Sequence, residues 1–443
     1  MLNSPLNGAA GCLALVTIGC LSAQAQSAAQ GSSPESTQQE LERLRQRVDA
    51  LERAHAANQT PAAGVDLSGE EYSSIRAAST GGAPTHAWYD SIRISGYGAF
   101  GFYDSGSAGA VPNGSFLVKE ASLFVEAQPW EHVSLFSELW LTRYRFDSGS
   151  GPDIGELYAQ FRDLFGSGDG ARIGAKVGRI DVPFGEDYLR MDASENPLIS
   201  LSAAAPWAID EGLEVYGRLD SFSWIFAVTN GNIALGADDQ ASKLWCGKLS
   251  CDISPNVYVS ASALTGGTSS VSTLWFGQGL ITPVGAFAGS TAGTSPSSAV
   301  SSSLWEGDAR LSLNDFSLGL QVGGARIDDA DSTFDRTLVW IEVGPSVQLN
   351  PALSLNLRYS SIGTDASSQG YLLAGDIFGS GSEFGYDTHR MQRMTGGLRY
   401  VPNPYLQFKL EVGHDGYELM SGSGFSTADD SRTFGGIETV VSF

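Results

Sequence analysis

From residue 91 onward the sequence is a succession of short segments in which apolar and polar residues alternate, separated by clusters of Gly, Asp, Ser and Asn. A period of two sends successive side chains to opposite faces of a strand, so each segment has one apolar and one polar face. Sixteen segments are legible: 91–104, 115–128, 132–144, 153–165, 172–180, 211–219, 222–230, 241–253, 257–265, 303–313, 316–327, 335–348, 352–362, 386–401, 404–414 and 431–443. In 115–128, Leu117, Ala121, Leu123, Val125 and Ala127 fall on one face, with Glu120, Ser122, Glu126 and Gln128 on the other. In 352–362, Leu353, Leu355, Leu357 and Tyr359 oppose Ser354, Asn356, Arg358 and Ser360.

The connections alternate in length. Tight turns are expected at Gln128–Glu131, Asp220-Ser221, Ser254–Asn256, Asn314-Asp315, Asn350-Pro351 and Pro402-Asn403, with longer loops near 105–114, 145–152, 181–210, 266–302, 363–385 and 415–430. The last segment ends on Phe443, and an open half-apolar edge strand invites pairing with other chains. Closing it onto the first segment removes the edge. The expectation is an all-β transmembrane fold: an antiparallel outer-membrane β-barrel of about sixteen strands, apolar outside and polar inside, with short turns at one end and long loops at the other. Trp130, Trp224, Trp245, Trp305, Trp340, Tyr400 and Tyr405 lie near segment ends, where aromatic girdles sit. A two-sheet sandwich shares the alternation but not the loop asymmetry. An eighteen-strand count stays open, because 272–289 has room for a further hairpin.

The totals agree with a barrel. The hydrophobic fraction is 42% and the mean hydropathy −0.06, too polar for a helical membrane bundle. A net charge of −23 argues against a nucleic-acid partner, which needs a basic footprint. Acidic loops suit divalent-cation contacts with outer-membrane lipids and lipopolysaccharide, or simply solubility.

The N-terminal region has a different character. Residues 1–25 read as a signal peptide, with an apolar core from Ala9 to Leu21 and Ala23-Gln24-Ala25 for cleavage, although no Lys or Arg precedes the core. Residues 26–36 are a flexible leader. Over 37–57, Thr37 and Glu40 form a capping box, and Leu41, Leu44, Val48 and Leu51 follow at coiled-coil spacing. Glu40 and Arg47 at g face Arg45 and Glu52 at e, a pairing that suits parallel neighbours, the alternative being a solvated amphipathic helix. Residues 58–90 are a linker, and 91–443 the barrel. Cys246 and Cys251 are five residues apart, about 17 Å along a strand and on opposite faces, too far to bridge without a bulge or turn.

Gly178-Arg179-Ile180-Asp181-Val182-Pro183-Phe184-Gly185-Glu186 opens the long third loop. Together with the coiled coil and the terminal Phe443, it resembles the phosphate-selective porin O/P family and related trimeric outer-membrane porins with an N-terminal coiled coil. The resemblance implies a homotrimer, a third loop folded into the pore, and a coil in the periplasm. The candidate constriction, 181–210, then carries Asp181, Glu186, Asp187, Asp192, Glu195 and Asp210 against Arg190. By parity the lumen receives Arg162, Arg172, Lys176, Arg218 and Lys248, then Arg310, Arg358, Arg393, Arg399 and Lys409. Facing them are Glu120, Glu126, Glu138, Glu156, Glu214 and Asp252, then Glu306, Asp308, Glu342, Glu411 and Glu438. A phosphate channel calls for a basic ladder; this mixed lumen with an acidic loop favours cations or neutral polar solutes. Inward charges also pair across strands for purely structural reasons. Tyr188 and Trp207 offer aromatic surface either to a sugar or to the wall.

Nothing points to catalysis. His55, His86, His132, His389 and His414 are scattered, and no metalloprotease, nucleophile-elbow or P-loop motif occurs. Asp328, Asp329, Asp331 and Asp335 could hold calcium or be a solvated loop tip. No cofactor is expected. The expected function is passive diffusion of small polar or charged solutes through an outer-membrane porin. The alternative is an envelope-organising anchor acting through the periplasmic coil.

Overall fold

The computed structural model describes residues 92–106, 111–143, 152–164, 172–204, 206–231, 242–269, 299–329, 336–365, 388–419 and 431–443. The signal peptide, leader, coiled coil with Leu41, Leu44, Val48 and Leu51, linker, and candidate hairpin 272–289 lie outside the described residues.

Among the described residues sixteen strands form. The first eight are β1 Ile92–Asp104, β2 Ser115–Trp130, β3 Val133–Arg143, β4 Asp153–Phe161, β5 Arg172–Asp181, β6 Ile209–Leu219, β7 Phe222–Thr229 and β8 Leu244–Ser254. The rest are β9 Val257–Ser269, β10 Ala299–Leu313, β11 Phe316–Asp329, β12 Arg336–Asn350, β13 Leu353–Thr364, β14 Thr388–Asn403, β15 Leu406–Leu419 and β16 Ser431–Ser442. Each pairs antiparallel with its chain neighbours, and β16 closes on β1. At that seam Phe100 sits opposite Thr439. Gly96 N–H donates to the Phe443 carbonyl at 3.1 Å, and Phe443 N–H returns to the Gly96 carbonyl at 3.0 Å. Because β9 pairs directly with β10, the wall is complete at sixteen strands.

Two-residue turns join β6 to β7 and β10 to β11. Asp220 (φ 53°) and Asn314 (φ 49°) take the left-handed conformation there, which Asp and Asn tolerate best after Gly and which matches the twist of paired strands. The outer face is apolar: Ile94, Leu157, Val177, Phe226, Val339, Leu357, Val412 and Ile437 are all exposed. Closure leaves no unpaired edge, so such a face can meet lipid without presenting unsatisfied backbone groups. Trp130, Trp245, Tyr400 and Tyr405 also face outward.

Several expectations are corrected. β2 runs on to Trp130. Leu117 does not face outward, because the β1–β2 register skips Lys119 between Glu120 and Val118. That bulge reverses parity beyond it. Phe116 and Val118 turn outward, while Leu117 packs inside against Tyr103, Val111, Ile199 and Phe434. Trp340 is no girdle residue either: it is 1% exposed, and its indole N–H donates to Glu306 at 2.8 Å. It shares the parity of Glu342, two residues on. Cys246, by contrast, is a buried free thiol, in agreement with a spacing too long for a bridge to Cys251.

Deleting Phe443 removes both terminal seam bonds, worth about 1–3 kcal/mol together. The folded fraction after refolding in detergent, read by the mobility shift between unheated and boiled samples, should fall. An unchanged fraction would show that the seam does not depend on the terminal residue.

Candidate functional site: the loop inside the barrel

The connection from β5 to β6 is residues 182–208. Asp210, expected in the loop, is instead a β6 residue that accepts from Gly231 N–H at 2.6 Å and Glu211 N–H at 2.8 Å. Val182 N–H donates to the Ala208 carbonyl at 2.8 Å and pins the base of the loop. Val182 and Phe184, almost fully buried, carry the chain into the interior. Gly185 then has φ +67°, and a Cβ there would collide with the Glu306 carboxylate. Only glycine meets both demands.

Beyond Gly185 the loop crosses the barrel, bonded to the wall at each stage. Gly185 N–H donates to Ser262 Oγ of β9 at 2.9 Å. The Glu186 carboxylate pairs with Lys248 of β8 at 2.7 Å and accepts from Tyr258 at 2.6 Å and Ser260 at 3.0 Å. Lys248 also donates to the Gly185 carbonyl at 2.7 Å. A single 3-10 turn, Asp187–Arg190, follows; Asp187 accepts from Gln321 of β11 at 2.9 Å and lies 3.7 Å from Arg190.

The loop then reaches the opposite wall. Ala193 N–H donates to Glu120 of β2. The Ala193 and Ser194 carbonyls accept from Lys409 at 2.6 Å and Gln407 at 2.7 Å, both of β15. Ile199 and Ser200 N–H donate to Glu411 at 2.5 and 3.2 Å. Arg358 of β13 donates to the Ser200 carbonyl at 2.7 Å, and Arg393 of β14 to that of Leu201 at 3.0 Å. On the way back Trp207 donates to Asp181 at 2.8 Å and packs on Trp140 with ring centroids 6.2 Å apart. A segment held by β8, β9 and β11 on one side and by β2, β13, β14 and β15 on the other runs through the barrel.

The acidic residues of this loop are not equivalent. Burial alone would raise the Glu186 carboxyl, but the Lys248 ammonium and the hydrogen bonds from Lys248, Tyr258 and Ser260 outweigh it and hold it below the usual range. Asp187 is driven the other way. Burial, then the Glu342 charge, push it up to about 6 against the pull of Arg190 and Gln321. Asp192 gives its backbone carbonyl to the Glu195 and Asn196 N–H groups at 3.0 and 2.9 Å.

The wall charges divide into two groups. Arg358, Arg393 and Lys409 hold loop carbonyls, as above; Arg393 also pairs with Asp415 at 2.7 Å, and Arg432 shares that carboxylate at 2.7 Å. Arg399 donates to Gln407 at 3.0 Å. Arg310 lies 4.9 Å from the Tyr258 ring centroid. Lys176, Arg218 and Lys248 line a cavity between the loop and the β4–β9 wall, Lys248 while also holding the Gly185 carbonyl. There Lys176 pairs with Glu214 at 3.2 Å, and Arg218 with Asp252 at 3.3 Å. A second space lies between Arg190 and the β12–β13 wall.

Parity missed Lys119, which donates to the Ile199 carbonyl at 3.1 Å and pairs with Glu438 at 3.2 Å, because the bulge hides it. Asp415 was missed because it falls one residue beyond the expected end of its strand. Among the described residues no group of His, Cys, Asp and Glu is placed to hold a metal. Asp328 pairs with Arg326 at 2.8 Å, and Asp331 and Asp335 lie outside the described residues.

A closed sixteen-strand antiparallel barrel with a loop folded inside it is the fold of outer-membrane porins. No protein-family model and no curated sequence matches the chain. Solved structures do. OmpT, an outer membrane protein of Vibrio cholerae, aligns with a TM-score of 0.55 at 11% identity over 80% of this chain and 97% of its own. Its trimer form aligns at 0.52 and 12% identity, over 80% and 99%. An anion-selective porin from Comamonas acidovorans aligns at 0.50 and 12% identity, again over 80% and 99%. At such identities the likeness is one of fold.

Lys248→Met strands the Glu186 carboxylate, and breaking a buried pair costs about 3–5 kcal/mol. The loop should then become cleavable by trypsin at Arg190 in the folded barrel. Adding Glu186→Gln should restore much of the protection; resistance in the single variant would show that the pair does not hold the loop.

Proposed function

We propose that this chain is an outer-membrane porin through which small polar or charged solutes diffuse passively, the loop at 182–208 narrowing its water-filled lumen. The observation that carries the reading is the asymmetry of the loop. It is bonded to the wall on both sides of the barrel, yet leaves a cavity lined by charged and aromatic side chains beside β4–β9. A closed apolar exterior around a charged interior supports a membrane-spanning channel over a soluble barrel, and the porin fold supports the bacterial outer membrane as its location. The trimer form of the Vibrio cholerae protein supports a homotrimer, with residues 37–57 as a parallel coil in the periplasm.

Asp181, Glu186, Asp187, Arg190, Asp192 and Glu195 form the constriction in this reading. Lys248 neutralises Glu186, so the adjustable charge is Asp187. The excess of acids over Arg190 in this stretch weighs against phosphate and for cations or uncharged solutes. Selection is electrostatic, with no covalent step.

Purified protein in a planar bilayer under a KCl gradient tests the proposal. Conductance in steps of three with cation preference is expected, and folded protein that passes no current would sink it. Asp187 is neutral below about pH 6 and ionised above, so cation preference should rise as pH rises through about 6. Docking of the loop weakens over the same interval, because the folded-state pKa lies above the ordinary one. Asp187→Asn should flatten the pH response; a step of the same size in that variant would assign the titration elsewhere.

A further inference from the structure

The cavity beside the loop is lined by four tyrosines from four separate elements: Tyr158 of β4, Tyr188 of the loop, Tyr216 of β6 and Tyr258 of β9. Two are braced by cations, Lys176 Nζ lying 5.1 Å from the Tyr158 ring centroid and Lys248 Nζ 5.0 Å from that of Tyr188. Two are tied through their hydroxyls: Tyr216 accepts from Gln160 at 2.6 Å and Tyr258 donates to Glu186 at 2.6 Å. Tyr188 is different: the residue is half-buried, lines the cavity, and its hydroxyl bonds to none of the described residues.

The charges in the same lining balance. Lys176, Arg218 and Lys248 are matched by Glu156, Asp181 and Glu214, and Ser223 and Ser250 line the same space. A net-charged solute meets repulsion from half of these groups. A hydroxyl group, both donor and acceptor, can take a hydrogen bond from an ammonium while giving one to a carboxylate. Aromatic rings add flat apolar surface for the C–H faces of a pyranose.

We propose that this cavity is a binding subsite for neutral polyhydroxylated solutes such as sugars, with Tyr188 as the partly exposed contact. This rests on the porin reading and specifies its solute. Binding in the conducting path interrupts ion flow, so sucrose and glucose should raise current noise saturably in a KCl-filled channel. Tyr188→Ala should raise the half-saturating sucrose concentration about tenfold, the equivalent of one lost aromatic contact, and Tyr188→Phe by a smaller factor. A channel that conducts KCl but shows only the viscosity effect of sucrose, matched by a zwitterionic osmolyte at equal viscosity, overturns the subsite and leaves the porin reading intact. Saturable noise unchanged in both Tyr188 variants overturns the assignment of the contact. Loss of all ion current in folded wild-type protein overturns both readings.

Discussion

The interior rests on one requirement: an irregular backbone has been placed inside a barrel whose own backbone groups are mostly spent in the ladder. Loop N–H and carbonyl groups have no strand to pair with, and an unanswered buried polar group is costly. The wall answers with side chains. Glu120, Glu411, Ser262 and Ser360 accept from loop N–H groups, and Lys119, Lys248, Arg358, Arg393, Gln407 and Lys409 donate to its carbonyls. Many of the inward charges therefore answer peptide dipoles.

This division explains why the lumen is mixed in sign. A loop presents donors and acceptors in nearly equal number, so a wall that cradles it carries acids and bases together. Arg393, fully buried between Asp415 and the Leu201 carbonyl, is an anchor. The groups left to meet a solute are those lining the cavity between the loop and β4–β9.

Apolar packing and polar anchoring act in sequence along the loop. Val182 and Phe184 enter the main inner cluster with Ile180, Ile199 enters a second with Phe434, and Trp207 a third with Met191. Between these anchors the charged contacts set the register. A segment fixed at three apolar and several polar points holds one shape, which a selective constriction needs.

The strands, their order and most of their facing were legible in the amino-acid sequence, because strand periodicity is a local property and closure follows from an even run of hairpins. The Gly178–Glu186 stretch likewise marked where the third loop leaves the wall. Leu117 and Lys119 were misread for a physical reason: a bulge is one extra residue in a register, visible only when the partner strand is in place. Trp340 was misread because length along a strand does not reveal what stands opposite. Which charges hold the loop and which line the cavity was decided by tertiary structure alone, since Lys248 meets Glu186 across 62 residues of chain and Arg393 meets Leu201 across 192. Alternation determines which face a side chain takes, but its partner across the barrel is set by the path of a loop that has no periodicity to read.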